Sequence, residues 1–285
     1  MNGTPRSEPP ILPATLTCPQ LPISRMQSSL YYSQPPPQPV HTILRDGYIA
    51  YTFGEECAET FLQFLLKLPP RSLTTTFSVS GWAGSFSLPQ AVVPSIRANI
   101  LCSLGQPHLL LDYLVDNTRG AVVPQALWAP RSNRDMTHYV VDASLLLPTF
   151  FIRNTGTIGL SLIDAAAGNC GSLVGCSQPV NVGGRTSVHL RIQWPGYNEW
   201  KRQFQTRDET VNRNIITLEK FVRHVGRSVD RFMEAAASEI SQGAPTWLIG
   251  PGRITREDVV VVGVVHVSAG SWMPILQLRR RLSPA

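Results

Sequence analysis

Lysine is nearly missing from this sequence. Of twenty-five cationic side chains only Lys67, Lys201 and Lys220 are lysine; the others are arginine. No apolar run approaches the roughly 20 residues that a membrane helix needs, so no spanning helix and no membrane partner are expected. Cysteine is sparse. Cys18, Cys57, Cys102, Cys170 and Cys176 are too scattered for a disulfide framework and read as free thiols in a reducing compartment. Cys170 and Cys176 have no second pair nearby, which argues against a zinc site. His41, His108, His138, His189, His224 and His266 are dispersed, with no two at metal-ligand spacing on one element. Neither a metal nor a cofactor is therefore implied. The start of the chain lacks a charged segment followed by an apolar block, and a cytoplasmic or nuclear location is expected.

Catalytic signatures are missing too. Ser268 and Ser271 lie near His266 and Asp258, but no Gly-x-Ser-x-Gly elbow surrounds either serine. His266 and Ser268 are two residues apart on a strand pattern, so their side chains run parallel and do not converge. Gly183-Gly184-Arg185 and Gly250-Pro251-Gly252-Arg253 lack phosphate-loop spacing and read as turns.

What the chain does have is uneven charge. Residues 1–150 carry nine basic and nine acidic side chains, while residues 151–285 carry sixteen basic and ten acidic ones. The whole net charge of +6 therefore sits in the second half. Proline is uneven as well. Ten of twenty-four prolines fall in residues 1–40, which predicts a disordered tail with polyproline character.

Folding is expected over 41–285, as one body or as two lobes dividing near 135. Asp46-Gly47 reads as the turn of a hairpin joining 41–45 to 48–53. The apolar spacing of Ala58, Phe61, Leu62, Leu65 and Leu66 predicts a helix over 55–67. A strand is expected over 73–79, a loop over 80–85 and a weaker helix over 90–104. Residues 108–115 fit either state. Short strands are expected at 150–153 and 158–163, and a long glycine-rich loop over 168–184. Alternation from Ser187 to Trp194 predicts a half-buried strand. The stretch 198–214 is polar and carries Lys201, Arg202, Arg207 and Arg213. Thr217 then caps a helix over 217–240, whose apolar stripe runs from Leu218 through Phe221, Val225, Val229 and Phe232 to Ala236. The branched run Val259–Val267 reads as a strand buried on both faces, returned by Ala269-Gly270 into 272–278. Pro274 should place that second strand at an edge or beside a bulge.

The fragments Phe150-Phe151-Ile152, His189-Leu190-Arg191-Ile192-Gln193-Trp194-Pro195-Gly196-Tyr197, Arg207-Asp208 and His266-Val267-Ser268-Ala269-Gly270-Ser271-Trp272 resemble an uncharacterised group of proteins from mushroom-forming (basidiomycete) fungi. The resemblance spans roughly residues 40–280. It implies a folded domain in a fungal, intracellular setting, and it brings no site residues with it.

The fold expected is α+β, with a mainly antiparallel sheet and the 217–240 helix packed on one face. A non-enzymatic interaction or structural domain, with a protein as the expected partner, is the leading functional class. Its alternative is nucleic-acid or other polyanion binding, using Arg223, Arg227 and Arg231 one helical turn apart with Trp200 and Tyr197 as stacking platforms. Nucleic acid is the less favoured partner, because acidic residues interleave with the arginines. A third class is an enzyme whose site assembles only in three dimensions.

Overall fold

The computed structural model describes residues 46–66, 77–80, 83–87, 100–103 and 106–281. The proline-rich tail, the first arm of the expected 41–53 hairpin and most of the expected 90–104 helix lie outside these residues. The described residues fall within one compact unit, 36–285. In chain order they form α1 (Tyr48–Phe53), α2 (Glu55–Leu66), β1 (Phe77–Ser80), β2 (Ala83–Ser87), β3 (Ile100–Ser103), β4 (Gln106–Tyr113) and α3 (Asn133–Met136). There follow β5 (Thr149–Phe150), β6 (Leu160–Ser161), α4 (Leu162–Ala167), β7 (Ser187–Ile192), β8 (Trp200–Gln205), α5 (Leu218–Ala236), β9 (Val259–Ser268) and β10 (Ser271–Leu278). A smaller sheet has the order β1-β2-β4-β3. The larger has the order β5-β9-β10-β7-β8, with β6 also paired to β9. All its pairings are antiparallel except β10 with β7. The fold is α+β.

The β9–β10 hairpin is the centre of the molecule, and every residue of both strands is buried. Val259, Val261 and Val264 pack into one apolar cluster, while Val260, Val262, Val265 and Val267 pack into the other. The alternation slips by one residue between Val261 and Val264. The ladder explains it: Ile275 pairs with Gly263 and Leu276 with Val261, which leaves Val262 unpaired in a bulge. Gly263 is required there, because a Cβ would stand 2.5 Å from the Thr149 carbonyl oxygen in β5. β10 lies inside the sheet order, between β9 and β7, and is not an edge strand. Pro274 is tolerated because the β7 ladder covers only Ser271 and Trp272. Farther along, the segment around Val122 takes over that side, with Val123 N–H donating to the Leu276 carbonyl at 2.8 Å.

Each face of the larger sheet is covered by helices. α1 and α2 pack into the cluster containing Val262 and Ile275. α4 and α5 pack into the cluster containing Val261 and Trp272. Thr217 caps α5 by accepting the Lys220 N–H, and the apolar stripe from Phe221 to Ala236 is buried. The helix stops at Ala236, four residues short of the expected end, and Ile240 is fully outside in solvent. α4 lies so close to α5 that a Cβ on Gly226 would meet the Ala165 carbonyl carbon at 2.5 Å.

Three expectations are corrected. Residues 48–53 are helical rather than the second arm of a hairpin. The buried Asp112 carboxylate, from β4, accepts the Ile49 N–H at 3.0 Å and satisfies one free donor at the start of α1. A contact over sixty residues away thus overrides the local alternation. The polar stretch 198–214, for which the sequence pattern assigns no element, contains β8, a strand at the edge of the described sheet. Ala83–Ser87 and Ile100–Ser103 are strands where a loop and a helix were expected.

Candidate polyanion-binding site

β8 alternates in the sense that matters for function. Phe204 is buried against α5, and Trp200 and Arg202 are half-buried on the same side. Residues 207–215 then turn tightly. The Asp208 carboxylate accepts the Thr210 hydroxyl at 2.6 Å and the Asn214 N–H at 2.9 Å. The Thr210 hydroxyl, together with the Thr210 and Asn214 N–H groups, holds the Asp208 carboxyl below its usual range. Arg213 adopts φ 45, and its carbonyl accepts from the Arg207 guanidinium at 3.3 Å. The turn is therefore ordered by its own carboxylate, and its two arginines sit at its base.

Between this turn, β8 and the first half of α5 lies a groove of ≈ 1140 Å³. Arg202 from the strand, Arg207 and Arg213 from the turn, and Lys220, Arg223 and Arg227 from the helix line it. Asp208 and Glu209 are the acidic residues on its wall. Among the described residues, none of the six cations forms an ion pair with a carboxylate. Instead Arg202, Arg207 and Arg227 donate to backbone carbonyls. Arg227 Nε donates to the Ala166 carbonyl at 3.3 Å, and Arg223 Cδ would lie 3.1 Å from a Cβ on Gly168.

The crowding has measurable consequences. His224 lies flat on Phe204, with ring centroids 5.0 Å apart and planes at 10°. Burial, then Arg202, Arg227, Arg223 and Lys220, pull its pKa below the ordinary histidine value. Both effects favour its neutral form. Arg202 is lowered for the same reasons, by burial and then by Arg231 and Arg227.

The residues singled out by sequence divide. Arg223 and Arg227 line the groove; Arg231, one turn on, is exposed beside Arg202 but outside the lining. Tyr197 and Trp200 lie elsewhere, edge-on to Phe232 with centroids 6.2 Å away. The Tyr197 hydroxyl also accepts the Ile249 N–H at 2.9 Å. Both rings are committed to packing against the far half of α5. The groove recruits Arg202, Arg207, Arg213 and Lys220 instead. The Trp200-Arg202-Phe204 alternation was the available signal for Arg202.

The polar groups near β9 and β10 are not brought together. Asp258 and His266 are eight residues apart on one extended segment, about 26 Å. Asp258 accepts from Thr255 and from Arg280 Nε at 2.9 Å. Those partners outweigh burial and hold its pKa low. His266 is buried, stacked on Trp272 at 4.5 Å, and its Nδ1 accepts the Leu146 N–H at 2.9 Å. Burial pushes its pKa down to about 4, so it is a neutral structural acceptor. Ser271 Oγ accepts from Arg191 Nε at 3.0 Å. Arg191 in turn pairs with Glu199 and stands 4.0 Å over the Trp128 ring. Cys170 is buried and its thiol is pushed up to about 11, mainly by burial, which removes it as a nucleophile at neutral pH.

A second pocket of ≈ 410 Å³ lies among Phe53, Pro124, Gln125, Trp194, Pro195 and Tyr197. Its amides are already engaged: Gln125 Nε2 donates to the Pro274 carbonyl, and its oxygen accepts the Gln193 N–H. His189 and His266 line neither this pocket nor the groove. Among the described residues no group of three or more His, Cys, Asp or Glu could hold a metal ion, and no helix is long and apolar enough to cross a membrane. No family model, no curated protein and no solved structure matches the chain.

Proposed function

We propose that this chain is a non-enzymatic binding domain that holds a polyanion in the groove between β8 and α5. One observation carries the reading: six cations from three separate elements converge on one concave surface without a described carboxylate partner. A solvated helix face would supply only Lys220, Arg223 and Arg227. Arginine dominance suits the task, since the guanidinium fork matches phosphate oxygens two at a time.

Fluorescence anisotropy with labelled polyanions, at several salt concentrations, tests this. The panel includes single-stranded and duplex oligonucleotides and inositol hexakisphosphate. Affinity for at least one of them is expected to fall steeply with salt. Arg223→Ala/Arg227→Ala is expected to weaken binding and, for duplex DNA, to lower the salt slope by about 0.9 per lost phosphate contact. Binding that ignores salt, or that survives the double substitution unchanged, overturns the proposal.

A further inference from the structure

Resting on that reading, we infer that the groove is built for a compact polyphosphate, a small molecule carrying several phosphate groups close together, rather than for a nucleic-acid strand. Two observations point this way. The first is charge density. Lys220 to Arg227 spans seven residues of helix, about 10 Å. One strand of a duplex presents about three phosphates over that length, at about 3.4 Å each. Three further cations, Arg202 from the strand and Arg207 and Arg213 from the turn, line the same groove as the helix's Lys220, Arg223 and Arg227. They surround a volume instead of tracking a line. A ligand that satisfies them carries its charge on all sides, as clustered phosphate monoesters do.

The second is the absence of a free base platform on the groove wall. Nucleotide binding without sequence preference draws on exposed aromatic faces. Here Phe204 is buried and covered by His224, and Tyr197 and Trp200 are packed on Phe232 outside the groove. Among the described lining residues no other aromatic side chain is present. The wall offers guanidinium forks, an ammonium and the imidazole of His224. The guanidinium and ammonium groups donate charge-assisted hydrogen bonds to phosphate oxygens, and an imidazole N–H is a donor as well.

Calorimetric titration of the full chain with inositol hexakisphosphate, against single-stranded and duplex oligonucleotides of equal total charge, decides the matter. The hexakisphosphate is expected to bind at least about tenfold tighter than either oligonucleotide at physiological salt. Arg202→Ala and Arg213→Ala, which remove one cation from the strand and one from the turn, should each weaken it about tenfold. Lys201→Ala/Arg253→Ala, which removes two charges outside the groove, should leave it within about twofold. Sedimentation with phosphoinositide-bearing vesicles distinguishes the source of the phosphate cluster. Loss of sedimentation in Arg223→Ala/Arg227→Ala would place the cluster on a lipid headgroup, and tight soluble binding without sedimentation would place it on a free molecule. Tighter oligonucleotide binding overturns this inference and leaves polyanion binding standing. No binding of any probe overturns both.

Discussion

Gly226 sits in the middle of α5, facing α4, and replacing it with alanine sets two effects of opposite sign against each other. In an isolated helix the change is favourable by roughly 1 kcal/mol, because glycine gives up more backbone freedom on folding. In this fold the new Cβ would lie 2.5 Å from the Ala165 carbonyl carbon, 2.5 Å from the Ala166 nitrogen and 2.8 Å from the Ala165 Cβ. Ordinary carbon contacts are about 3.5–4.0 Å, so the overlap is about 1 Å, and two of the three neighbours are backbone. Backbone cannot rotate away as a side-chain tip can. α4 is also pinned by its Ser161 cap, whose hydroxyl accepts the Asp164 N–H at 3.1 Å, and by its β6 end in the sheet. Overpacking of this kind costs about 1–3 kcal/mol. With two of the contacts on backbone the cost lies towards the upper end of that range, so steric overlap wins, with a net loss of up to about 2 kcal/mol, or a fall in melting temperature of a few degrees. Urea unfolding of wild type and Gly226→Ala measures it. Adding Ala165→Gly should restore little, since it removes one Cβ and leaves both backbone contacts. A Gly226→Ala protein more stable than wild type would refute the reasoning, because helix propensity alone would then govern and α4 could not lie on α5 at this point.

Two buried titratable groups predict opposing pH dependence. Asp112 is raised from 3.8 to about 7, first by burial, so between those values the folded state holds a proton that the unfolded state has lost. Its contribution favours folding at low pH and is lost as pH rises towards 7, a change of about 4 kcal/mol. Asp112→Asn should remove that decline, and an unchanged pH profile in unfolding titrations would count against the buried carboxyl. His266 behaves in the reverse sense: its folded value of about 4 lies below the ordinary 6.5. Its contribution is present above 6.5 and lost as pH falls towards 4, by about 3 kcal/mol. His266→Gln should flatten the acid side of the profile; persistence of the acid loss would show that other groups cause it.

The parts of the fold that were legible in the sequence are those whose signal is local and strong. The α5 stripe from Phe221 to Ala236 and its Thr217 cap are local, and so is the β-branched run of β9. The elements that escaped depend on distant partners. Tyr48–Phe53 has a residue pattern compatible with a strand, and it becomes a helix where Asp112 meets its first turn. β8 reads Trp-Lys-Arg-Gln-Phe-Gln, too polar for a core strand, because it lies at the edge and buries only Phe204 fully. The bulge at Val262 is marked in the sequence by Gly263 alone, since a one-residue slip among the valines exchanges valine for valine on each face. The candidate site was half legible for the same reason. Helical periodicity shows that Arg223 and Arg227 share a face. Only the tertiary fold brings Arg202, Arg207 and Arg213 to meet them, and only packing against Phe232 removes Tyr197 and Trp200.

The cations of β8 have a second explanation that has to be weighed. β8 ends the larger sheet, and a strand in that position is protected from pairing with other chains by charged side chains. Lys201 and Arg202 would serve that purpose with no ligand at all. Edge protection, however, requires charge on the strand alone. It gives no reason for Arg207 and Arg213 to be drawn into an ordered turn by Asp208, or for Lys220, Arg223 and Arg227 to face the strand across a shared groove. Gathering those charges raises their mutual repulsion, which adds to burial in lowering the pKa values of His224 and Arg202. Side chains as long as arginine could relieve it by turning to solvent. Arg202 instead reaches across the groove to the Arg227 carbonyl at 3.4 Å, and Arg227 is tied to the Ala166 carbonyl at 3.3 Å. An arrangement that holds like charges together at a cost to the empty fold is accounted for by an anion that removes the cost on binding.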